Sequence, residues 1–570
     1  MGSDQVAALP NRWRETEVSS ARTRLAFASV LVLAASLRFW GLWYGLPHPL
    51  TRPDEEIVVG HAVDLVLGRP DRATFPHPEL VYFVDPVRGR PVREDVTYAY
   101  PYPNLVYFVD AAALGAWKTI GEGIGSYKSA DDFVADLTAW HRGLQYKIAR
   151  AVSACLGIGT VLAAYLAAWY GYRRQSVALL AALLVAVNFL HARDSHYATV
   201  DVPMTFLLTM SLAFALKAGA SEARRDALLA AGFAGLAASA KFNGAAAIFA
   251  TVVTVGRRFF GPPPTKRRWV IATLSIAAVV MIAAFAVTSP YCIRDYKIVH
   301  LGLRIQRRVL FDTVATPAWQ IFATSTFPDA FGWPGFISVG IGLIRAAWKR
   351  RLTDVALLAF IVPTFLSMAW MTWVLPRYPL PLIAPLCVLA AEASLAMLPS
   401  RRRVLWAIVV AALLAVPPFM RIVAYDRLAS RIDTRLQASD WMAQHIPPGS
   451  RMAVCRGYGA PVVNSDPRTP PAFEPVLLLP CSLEKIHDTG ARYVVTQTHP
   501  VVPFFVPTDD TRQWLSDRAR PLATFSPLRA GGRVRDSCFY SGDAFYLPTC
   551  GFDAVERGGP IVTIWDLGPQ

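Results

Sequence analysis

The stretch Leu25–Leu46 reads LAFASVLVLAASLRFWGLWYGL, and the polar run Thr51–Glu56, TRPDEE, follows it closely. About 20 apolar residues can cross the roughly 30 Å hydrocarbon core of a bilayer as a helix, which satisfies its own backbone hydrogen bonds. The arginines before this stretch and its length favour a retained anchor over a cleaved signal peptide. We therefore expect an integral membrane protein with a cytoplasmic N-terminus and with Thr51–Glu56 at the outer surface.

The composition indicates the same class. The 570 residues are 54% hydrophobic and 17% charged, and the mean hydropathy of +0.34 is too apolar for an ordinary soluble multidomain protein. In a soluble protein a net charge of +16 would suggest a nucleic-acid partner, but here the basic residues form short clusters between apolar runs. They read as topology signals, so no nucleic acid is expected as a partner.

About eleven apolar stretches are candidate spans, and several are short enough to require tilting or local thinning of the bilayer. The fifth and sixth are separated only by Lys241–Gly244, KFNG, which either turns between two short helices or places a lysine inside one long helix. We favour two helices. The stretches are 25–46, 148–170, 176–190, 199–217, 226–240, 242–256, 269–289, 334–348, 353–372, 379–397 and 403–420.

Clusters of Lys and Arg support this count, because basic residues concentrate in cytoplasmic connections. With eleven spans, every cytoplasmic connection carries a cluster, and the C-terminal part lies outside. Joining the fifth and sixth spans would place the later clusters outside. The clusters are 173–174, 217 with 224–225, 257–258 with 266–268, 349–351 and 401–403.

The expected fold is a mainly α polytopic membrane protein with a C-terminal soluble α/β domain. Residues 1–24 form a cytoplasmic segment, 25–420 the transmembrane domain, and 421–570 the extracytoplasmic domain. The transmembrane domain includes a large first outer loop at 47–147. In this loop the residues 54–67 and 104–117 alternate apolar and polar faces, as helices on a membrane surface do.

The C-terminal part has helix and strand patterns in alternation. Residues 434–445 have a helix pattern, and 451–455, 492–496 and 560–565 have strand patterns. Its four cysteines lie in a compartment that permits disulfides. Pairing of Cys455 with Cys481 and of Cys538 with Cys550 is one of the three connectivities that four cysteines allow.

The first candidate for chemistry is Asp54, which follows the first span at the outer surface. An acid held where lipid and protein meet suits a general base that removes a proton from a hydroxyl or amine. An equally good interpretation is that Pro53-Asp54 only begins an interfacial helix, whose first turn favours acids.

A second polar cluster, residues 191–203 with the sequence HARDSHYATVDVP, joins the third and fourth spans. Asp201 opens a span, where a carboxylate is costly unless it faces a cavity, so we expect a functional role for it. For His196 alone we prefer a polar helix cap. Asp201, Asp194 and His196 could serve as metal ligands, but we do not favour a divalent cation, and no other cofactor is expected.

Several cations fall on the outer side against the positive-inside trend. Each alone is best explained as a residue at a helix end, but as a set they indicate a lipid phosphate or pyrophosphate. The set is Lys241, Arg294, Arg304, Arg307, Arg308 and Arg377, the last followed by Tyr378.

Taken in order, these motifs resemble the membrane glycosyltransferases of the C-type superfamily. The nearest branch is similar to the dolichyl-phosphate-mannose protein mannosyltransferases, a family that also includes the lipid A aminoarabinose transferases. The resemblance covers most of the chain. Its residues are 38–41 RFWG, 53–55 PDE, 193–196 RDSH, 201–203 DVP, 241–244 KFNG, 377–381 RYPLP, 433–435 DTR, Trp441 and 446–449 IPPG.

The resemblance implies inverting transfer of a hexosyl or pentosyl group from a polyprenyl-phosphate sugar to a protein, lipid or polysaccharide acceptor at the outer face. It implies Asp54 as the base, Asp201 as a second acid in the same cavity, and Lys241 and Arg377 near the donor phosphate. We further expect Glu55 to assist Asp54, Tyr378 and Arg294 to contribute to donor binding, and Arg193, Asp194 and His196 to line the acceptor side or the cavity.

Two other classes of function stay open. A transporter or lipid flippase also places charges at membrane depth, but the spans have no inverted repeat and the polar residues gather on one face. A sensor or scaffold with an outer ligand-binding domain is a further alternative, although eleven spans are many for an anchor. The high Arg and Ala usage favours a multi-pass protein of a bacterial plasma membrane.

Overall fold

The computed structural model describes residues 21–48, 51–69, 102–138, 143–260, 265–311, 316–399, 401–455, 460–461, 473–478, 480–499, 506–535, 538–539 and 546–568. The greater part of the predicted cytoplasmic segment lies outside these residues. Every residue predicted for the site lies within them.

Apolar helices dominate the chain up to residue 429, and each of the eleven predicted spans overlaps one of them. The helices are α1 Ala21–Phe39, α2 Glu55–Val66, α3 Leu105–Gly123, α4 Ala130–Thr138, α5 Leu144–Tyr172, α6 Gln175–Val187, α7 Phe189–Asp194, α8 Asp201–Ser221, α9 Arg224–Ala240, α10 Ile248–Gly256, α11 Thr265–Thr288, α12 Pro290–Arg294, α13 Tyr296–Phe311, α14 Ala318–Ile321, α15 Phe327–Lys349, α16 Leu352–Ala369, α17 Leu380–Ala396 and α18 Arg403–Ala429.

Among the described residues, six helices are long and apolar enough to cross a membrane, and two shorter apolar helices accompany them. The six are Leu144–Tyr172, Asp201–Ser221, Lys266–Thr288, Ala318–Lys349, Leu352–Ala369 and Arg403–His445, and the two are Gln175–Val187 and Leu380–Ala396. The chain is thus a helical membrane protein. The count of eleven spans and its orientation stay predictions.

The turn at Lys241–Gly244 divides two helices, as predicted. α9 ends at Ala240, Lys241 is extended, and a 3-10 turn over Phe242–Ala247 leads into α10. Gly244 lies against α9 so closely that a Cβ atom there would be 2.4 Å from the carbonyl oxygen of Ala237. A residue with a side chain would therefore push the turn away from α9.

The helices begin and end at two opposite sides of the bundle, and residues from different helices contact each other at both. Lys241, after α9, pairs with Asp201 at the beginning of α8. At the far end of α8, the Gly219 carbonyl accepts a hydrogen bond from Arg257, which follows α10. We call these the site end and the arginine end, because Arg257, Arg351 and other members of the predicted basic clusters lie at the second.

The C-terminal domain carries a five-stranded mixed sheet with the strand order β2-β1-β3-β5-β4. β1 pairs in parallel with β2 and β3, and β5 pairs antiparallel with β3 and β4. The elements are α19 Thr434–His445, β1 Arg451–Cys455, β2 Glu474–Leu478, α20 Leu483–Asp488, β3 Tyr493–Thr498, α21 Asp509–Arg518, β4 Arg520–Phe525 and β5 Ile561–Asp566.

This domain agrees with the predicted helix and the three predicted strands, and it adds two strands that were missed. β2 is an edge strand with a proline, Pro475, and β4 is largely exposed, so neither has the alternation of a half-buried strand. Cys455 pairs with Cys481 and Cys538 with Cys550, which is the predicted connectivity.

A buried polar contact, which we call the joint, connects this domain to the first outer loop. Arg435 donates two hydrogen bonds to Asp433, at 2.8 and 2.9 Å, and its third nitrogen lies 3.5 Å from Nδ1 of His48. Nε2 of His48 lies 2.8 Å from the carbonyl oxygen of Ala460, so His48 donates from Nε2 and accepts at Nδ1. The His48 carbonyl in turn accepts from Thr51, three residues before Asp54.

Candidate active site

Asp54 lies immediately before α2 in a left-handed backbone conformation, with φ of 71°. Few residues other than glycine adopt this conformation, and those that do often lie at functional sites. Its Oδ2 accepts a hydrogen bond from the Tyr102 hydroxyl at 3.0 Å and another from Arg377. Arg377 also donates to the Pro53 carbonyl, at 3.4 Å, and so holds the backbone around the acid.

Asp201, the first residue of α8, joins the same group of charges. Its Oδ1 accepts from Lys241 Nζ at 2.7 Å, and its Oδ2 lies 3.7 Å from Nε of Arg377. Arg377 therefore bridges Asp54 and Asp201, which are far apart in sequence. We call Asp54, Asp201, Lys241 and Arg377 the reacting cluster.

Two tyrosines border the reacting cluster. Lys241 Nζ lies 5.4 Å from the ring centre of Tyr378 and 6.0 Å from that of Tyr102, within the range of cation–π attraction. Burial raises the pKa of Tyr102 well above its ordinary value, and the neighbouring Asp54 carboxylate raises it further. Tyr102 therefore stays protonated and donates. It was not among the predicted site residues, although the Tyr- and Pro-rich run around it was visible in the sequence.

The four charged side chains differ in access to solvent. Asp54 is 24% exposed and Lys241 16%, whereas Asp201 is 3% and Arg377 4% exposed. Asp54 is therefore the carboxylate that an incoming molecule reaches. Asp201 is almost fully buried and contacts both cations, so it is positioned to orient them.

Glu55 does not have the geometry of the predicted assisting acid. Arg150 binds both of its carboxylate oxygens, at 2.7 Å each, and the backbone N–H of Ala198 donates to one of them at 2.8 Å. The side chain is 1% exposed and that of Arg150 is fully buried. A carboxylate held this way fixes the first loop to α5 and cannot easily take a proton from a substrate.

The predicted acceptor or cavity residues Arg193, Asp194 and His196 are also buried away from solvent. Asp194 accepts from Arg52 at 2.8 Å and from Arg193 at 2.7 Å. The ring nitrogens of His196 lie 2.9 Å from the carbonyl oxygens of Ala192 and Trp40. These contacts belong to the packing of the site end, so this geometry does not fit a surface that receives an acceptor.

We call the buried ionic side chains Glu55, Arg150, Arg52, Asp194 and Arg193 the supporting cluster. The guanidinium groups of Arg52 and Arg150 also lie near one ring, that of Tyr197, at 4.9 and 5.5 Å from its centre. Through these residues the first loop is fixed to the connection between α7 and α8.

Arg294 has partners close to it in sequence. It lies at the end of α12, is 50% exposed, and pairs with Asp295 at 2.8 Å. It also stacks on Tyr291, 4.9 Å from the ring centre. Its predicted place in donor phosphate binding stays a prediction.

Within the described part of the chain, no three His, Cys, Asp or Glu side chains are grouped in a way that could hold a metal ion. The ligand set considered from the sequence is not assembled, because Asp201 pairs with cations while Asp194 and His196 belong to other contacts.

Part of the chain is similar in sequence to a known family, and most of it is similar in fold to solved structures. Residues 113–293 match the family described as Dolichyl-phosphate-mannose-protein mannosyltransferase. This segment contains Asp201 and Lys241 and lies between Asp54 and Arg377. No curated protein matches the chain.

Two solved structures share the fold across most of the molecule. The oligosaccharyltransferase of Archaeoglobus fulgidus in the apo form aligns with a TM-score of 0.50 and 12% identity, over 85% of this chain and 70% of that chain. ArnT from Cupriavidus metallidurans in the apo state aligns with a TM-score of 0.50 and 14% identity, over 96% of this chain and 98% of that chain. The chain has the C-type membrane glycosyltransferase fold. The resemblance seen in the motifs is thus confirmed at the level of fold, and in this C-type fold the reacting cluster lies at one end of the helix bundle.

Proposed function

We propose that this chain is an inverting glycosyltransferase that moves a sugar from a polyprenyl-phosphate donor to a hydroxyl or amine acceptor. The observation that carries the proposal is the reacting cluster itself. Two carboxylates and two cations, from four separate parts of the chain, meet at one end of a membrane helix bundle. This arrangement combines a base with phosphate-binding groups in one place.

In the proposed reaction Asp54 is the general base. The acceptor O–H or N–H gives its proton to the Asp54 carboxylate while its oxygen or nitrogen forms a bond to the anomeric carbon. The bond between that carbon and the phosphate oxygen breaks, and the electron pair leaves with the polyprenyl phosphate. Attack opposite the leaving group inverts the anomeric configuration. The 24% exposure of Asp54 supports this role, because a base must reach its substrate.

Lys241 and Arg377 are proposed to bind the departing phosphate. A phosphate leaves as a weak base, so it needs cationic stabilisation of its oxygens rather than a general acid. Both cations already face carboxylates, and Asp201 contacts both of them. Asp201 is thus proposed as a positioning residue that holds the two cations for the donor, and not as a second base.

The donor class follows from the family match and the membrane fold together. The matching family is named for a mannose carried on dolichyl phosphate, which is a polyprenyl phosphate. Such a donor stays in the bilayer, and the reacting cluster lies at the end of membrane helices, where a lipid phosphate is found. We leave the sugar and the acceptor undefined, because selectivity depends on a few hydroxyl contacts that the fold does not encode.

The outer face of a plasma membrane is the proposed location of the reaction. The C-terminal domain has two disulfides and joins the site end through His48 and Arg435. Disulfides persist in oxidising compartments, which supports the proposal that the site end lies on that side. The basic clusters at the arginine end then face the cytoplasm, as the positive-inside rule requires.

The test uses purified protein in proteoliposomes with a radiolabelled polyprenyl-phosphate sugar. We expect polyprenyl phosphate to be released only when an acceptor is supplied from an envelope extract, with the sugar appearing on the acceptor in inverted configuration. A retained configuration would exclude direct displacement. Movement of intact donor across the bilayer without cleavage would instead identify a flippase.

A further inference from the structure

Helix α13 is basic, amphipathic and poorly covered by the rest of the molecule. Its sequence, YKIVHLGLRIQRRVLF, places all its cationic and titratable residues on one stripe by helical spacing. The exposed stripe residues are Lys297, His300, Arg304, Arg307 and Arg308.

Apolar side chains border this stripe and are also uncovered. Leu301 and Leu303, on either side of it, are 46% and 42% exposed, and Phe311 at the helix end is 41% exposed. Leucines beside a basic stripe are typical of a helix that lies in the membrane surface, with its cations among the phosphates. Helix α11, just before this region, is apolar and largely uncovered by the rest of the molecule, as expected of a helix in contact with lipid. A helix that follows it closely is expected to lie near the edge of the bilayer.

The beginning of the α12–α13 segment is tied to two parts of the site. Ser289, just before α12, accepts a hydrogen bond from the backbone of Asn104 and contacts the hydroxyl of Ser239. Asn104 follows Tyr102 by two residues, and Ser239 precedes Lys241 by two residues. The Asn104 side chain also accepts from the backbone N–H of Tyr291, at 3.1 Å.

The end of the same segment is tied to the part that carries Arg377. The Leu310 carbonyl accepts from the backbone N–H of Thr372 at 2.8 Å and from its hydroxyl at 3.2 Å. Thr372 precedes Arg377 by five residues. The two ends of the basic segment therefore contact the chain beside Tyr102, Lys241 and Arg377.

We propose that α13 is a second phosphate-binding site, outside the reacting cluster. A polyprenyl-phosphate donor binds there first and then moves to Lys241 and Arg377. This inference rests on the proposed function and adds the path by which the donor arrives. A helix that only bound bulk acidic lipid would have no need of hydrogen bonds to three site segments, so the ties favour the donor as the occupant. The arginine stripe attracts the phosphate, and the uncovered leucines contact the isoprenoid chain.

The experiment measures binding without turnover. The full-length protein is placed in phosphatidylcholine nanodiscs, and its affinity for undecaprenyl phosphate is measured at low and high salt. Because each cation near a membrane surface contributes on the order of 1 kcal/mol, we expect the triple variant Arg304→Gln, Arg307→Gln, Arg308→Gln to lose at least about tenfold in affinity and much of the salt dependence. The variant with lysine at the same positions should keep most of the binding.

A matched control removes the same charge elsewhere. Arg512→Gln, Arg518→Gln and Arg520→Gln change three exposed arginines of the C-terminal domain, and this variant should bind undecaprenyl phosphate as the unchanged protein does. The proposal is overturned if the α13 variant binds normally, if the control variant loses as much, or if phosphatidylglycerol competes as well as undecaprenyl phosphate. If the protein bound undecaprenyl phosphate through these α13 arginines but transferred no sugar, the proposed function would be refuted and the phosphate site on α13 would be supported.

Discussion

Asp54 and Glu55 are neighbours in sequence, yet they belong to groups of opposite character. Asp54 is part of the reacting cluster, is 24% exposed and faces cations that a phosphate can share. Glu55 is part of the supporting cluster, is 1% exposed and has both oxygens bound by Arg150. The role of an acid in this loop is therefore decided by the groups around it. A carboxylate saturated with hydrogen bonds holds the fold, and one with an open side can react.

Asp54→Asn should have the largest effect on activity. Asparagine tolerates the left-handed backbone and keeps the size of the side chain but cannot accept a proton. Removal of a general base costs about 10² to 10⁴ in rate, so we expect kcat to fall by about a thousandfold with the melting temperature unchanged. Turnover is measured with labelled donor in proteoliposomes. Activity within a few-fold of normal would remove Asp54 from the base role.

The matched variant Glu55→Gln should have the opposite profile. It leaves the buried Arg150 without its counter-charge, and loss of one partner of a buried ion pair costs about 3 kcal/mol or more. We expect a clearly lower melting temperature in detergent, with the remaining folded protein still active. If this variant melted normally but lost turnover as Asp54→Asn does, the division into two clusters would be wrong.

The stability that the joint contributes should depend on pH. Burial alone would raise the pKa of Asp433, but the Arg435 guanidinium and its hydrogen bonds hold that pKa below the ordinary value. An acid with a depressed folded pKa stabilises the protein above its unfolded pKa of about 4, and this contribution disappears as the pH falls through the folded value.

Asp433→Asn should therefore lower the melting temperature strongly at pH 7, by the equivalent of about 3 kcal/mol. The gap in melting temperature between this variant and the unchanged protein should narrow as the pH falls from about 4 toward the lower folded pKa of Asp433. The carboxyl of the unfolded chain takes up a proton first, and that of the native protein follows only at its depressed pKa. Thermal unfolding in detergent from pH 7 to pH 3 measures the gap. A gap of constant size would mean that the charge of Asp433 does not stabilise the joint.

The smallest effect on kcat is expected at Tyr102, beside the reacting cluster. Tyr102→Phe removes one hydrogen bond to Asp54, and a hydrogen bond to a charged group contributes about 1.5 to 3 kcal/mol. Because Arg377 still holds the acid, we expect kcat to change by about tenfold at most, with stability kept. A loss as large as that of Asp54→Asn would show that Tyr102 is itself part of the chemistry.

Helices and their ends could be predicted from the sequence because apolar length, basic clusters and prolines are local signals. Topology placed Asp54, Asp201, Lys241 and Arg377 at the outer ends of spans, and the family resemblance implied that they share one cavity. The supporting cluster could not be assigned in the same way. Glu55 and Asp194 look as reactive in sequence as Asp54, and only their partners show otherwise.

One signal for those partners was present in the sequence. Arg150 lies near the start of the predicted span 148–170, and a cation in such a place needs a nearby carboxylate. Nothing local says that this carboxylate is Glu55, because the choice depends on how the first loop folds back on α5. The outer side of a topology map is also broad, so the sequence could not show that Arg294 pairs with the next residue, Asp295.

The joint has a consequence for how the molecule is made. His48 contacts Ala460, 412 residues later in the chain, and Arg435, 387 residues later. The segment before Asp54 thus leaves the ribosome among the first parts of the protein but acquires these contacts only after the last helix and the C-terminal domain have been made. Biogenesis should accordingly complete this end of the molecule only in full-length chains, so truncated products would lack the joint.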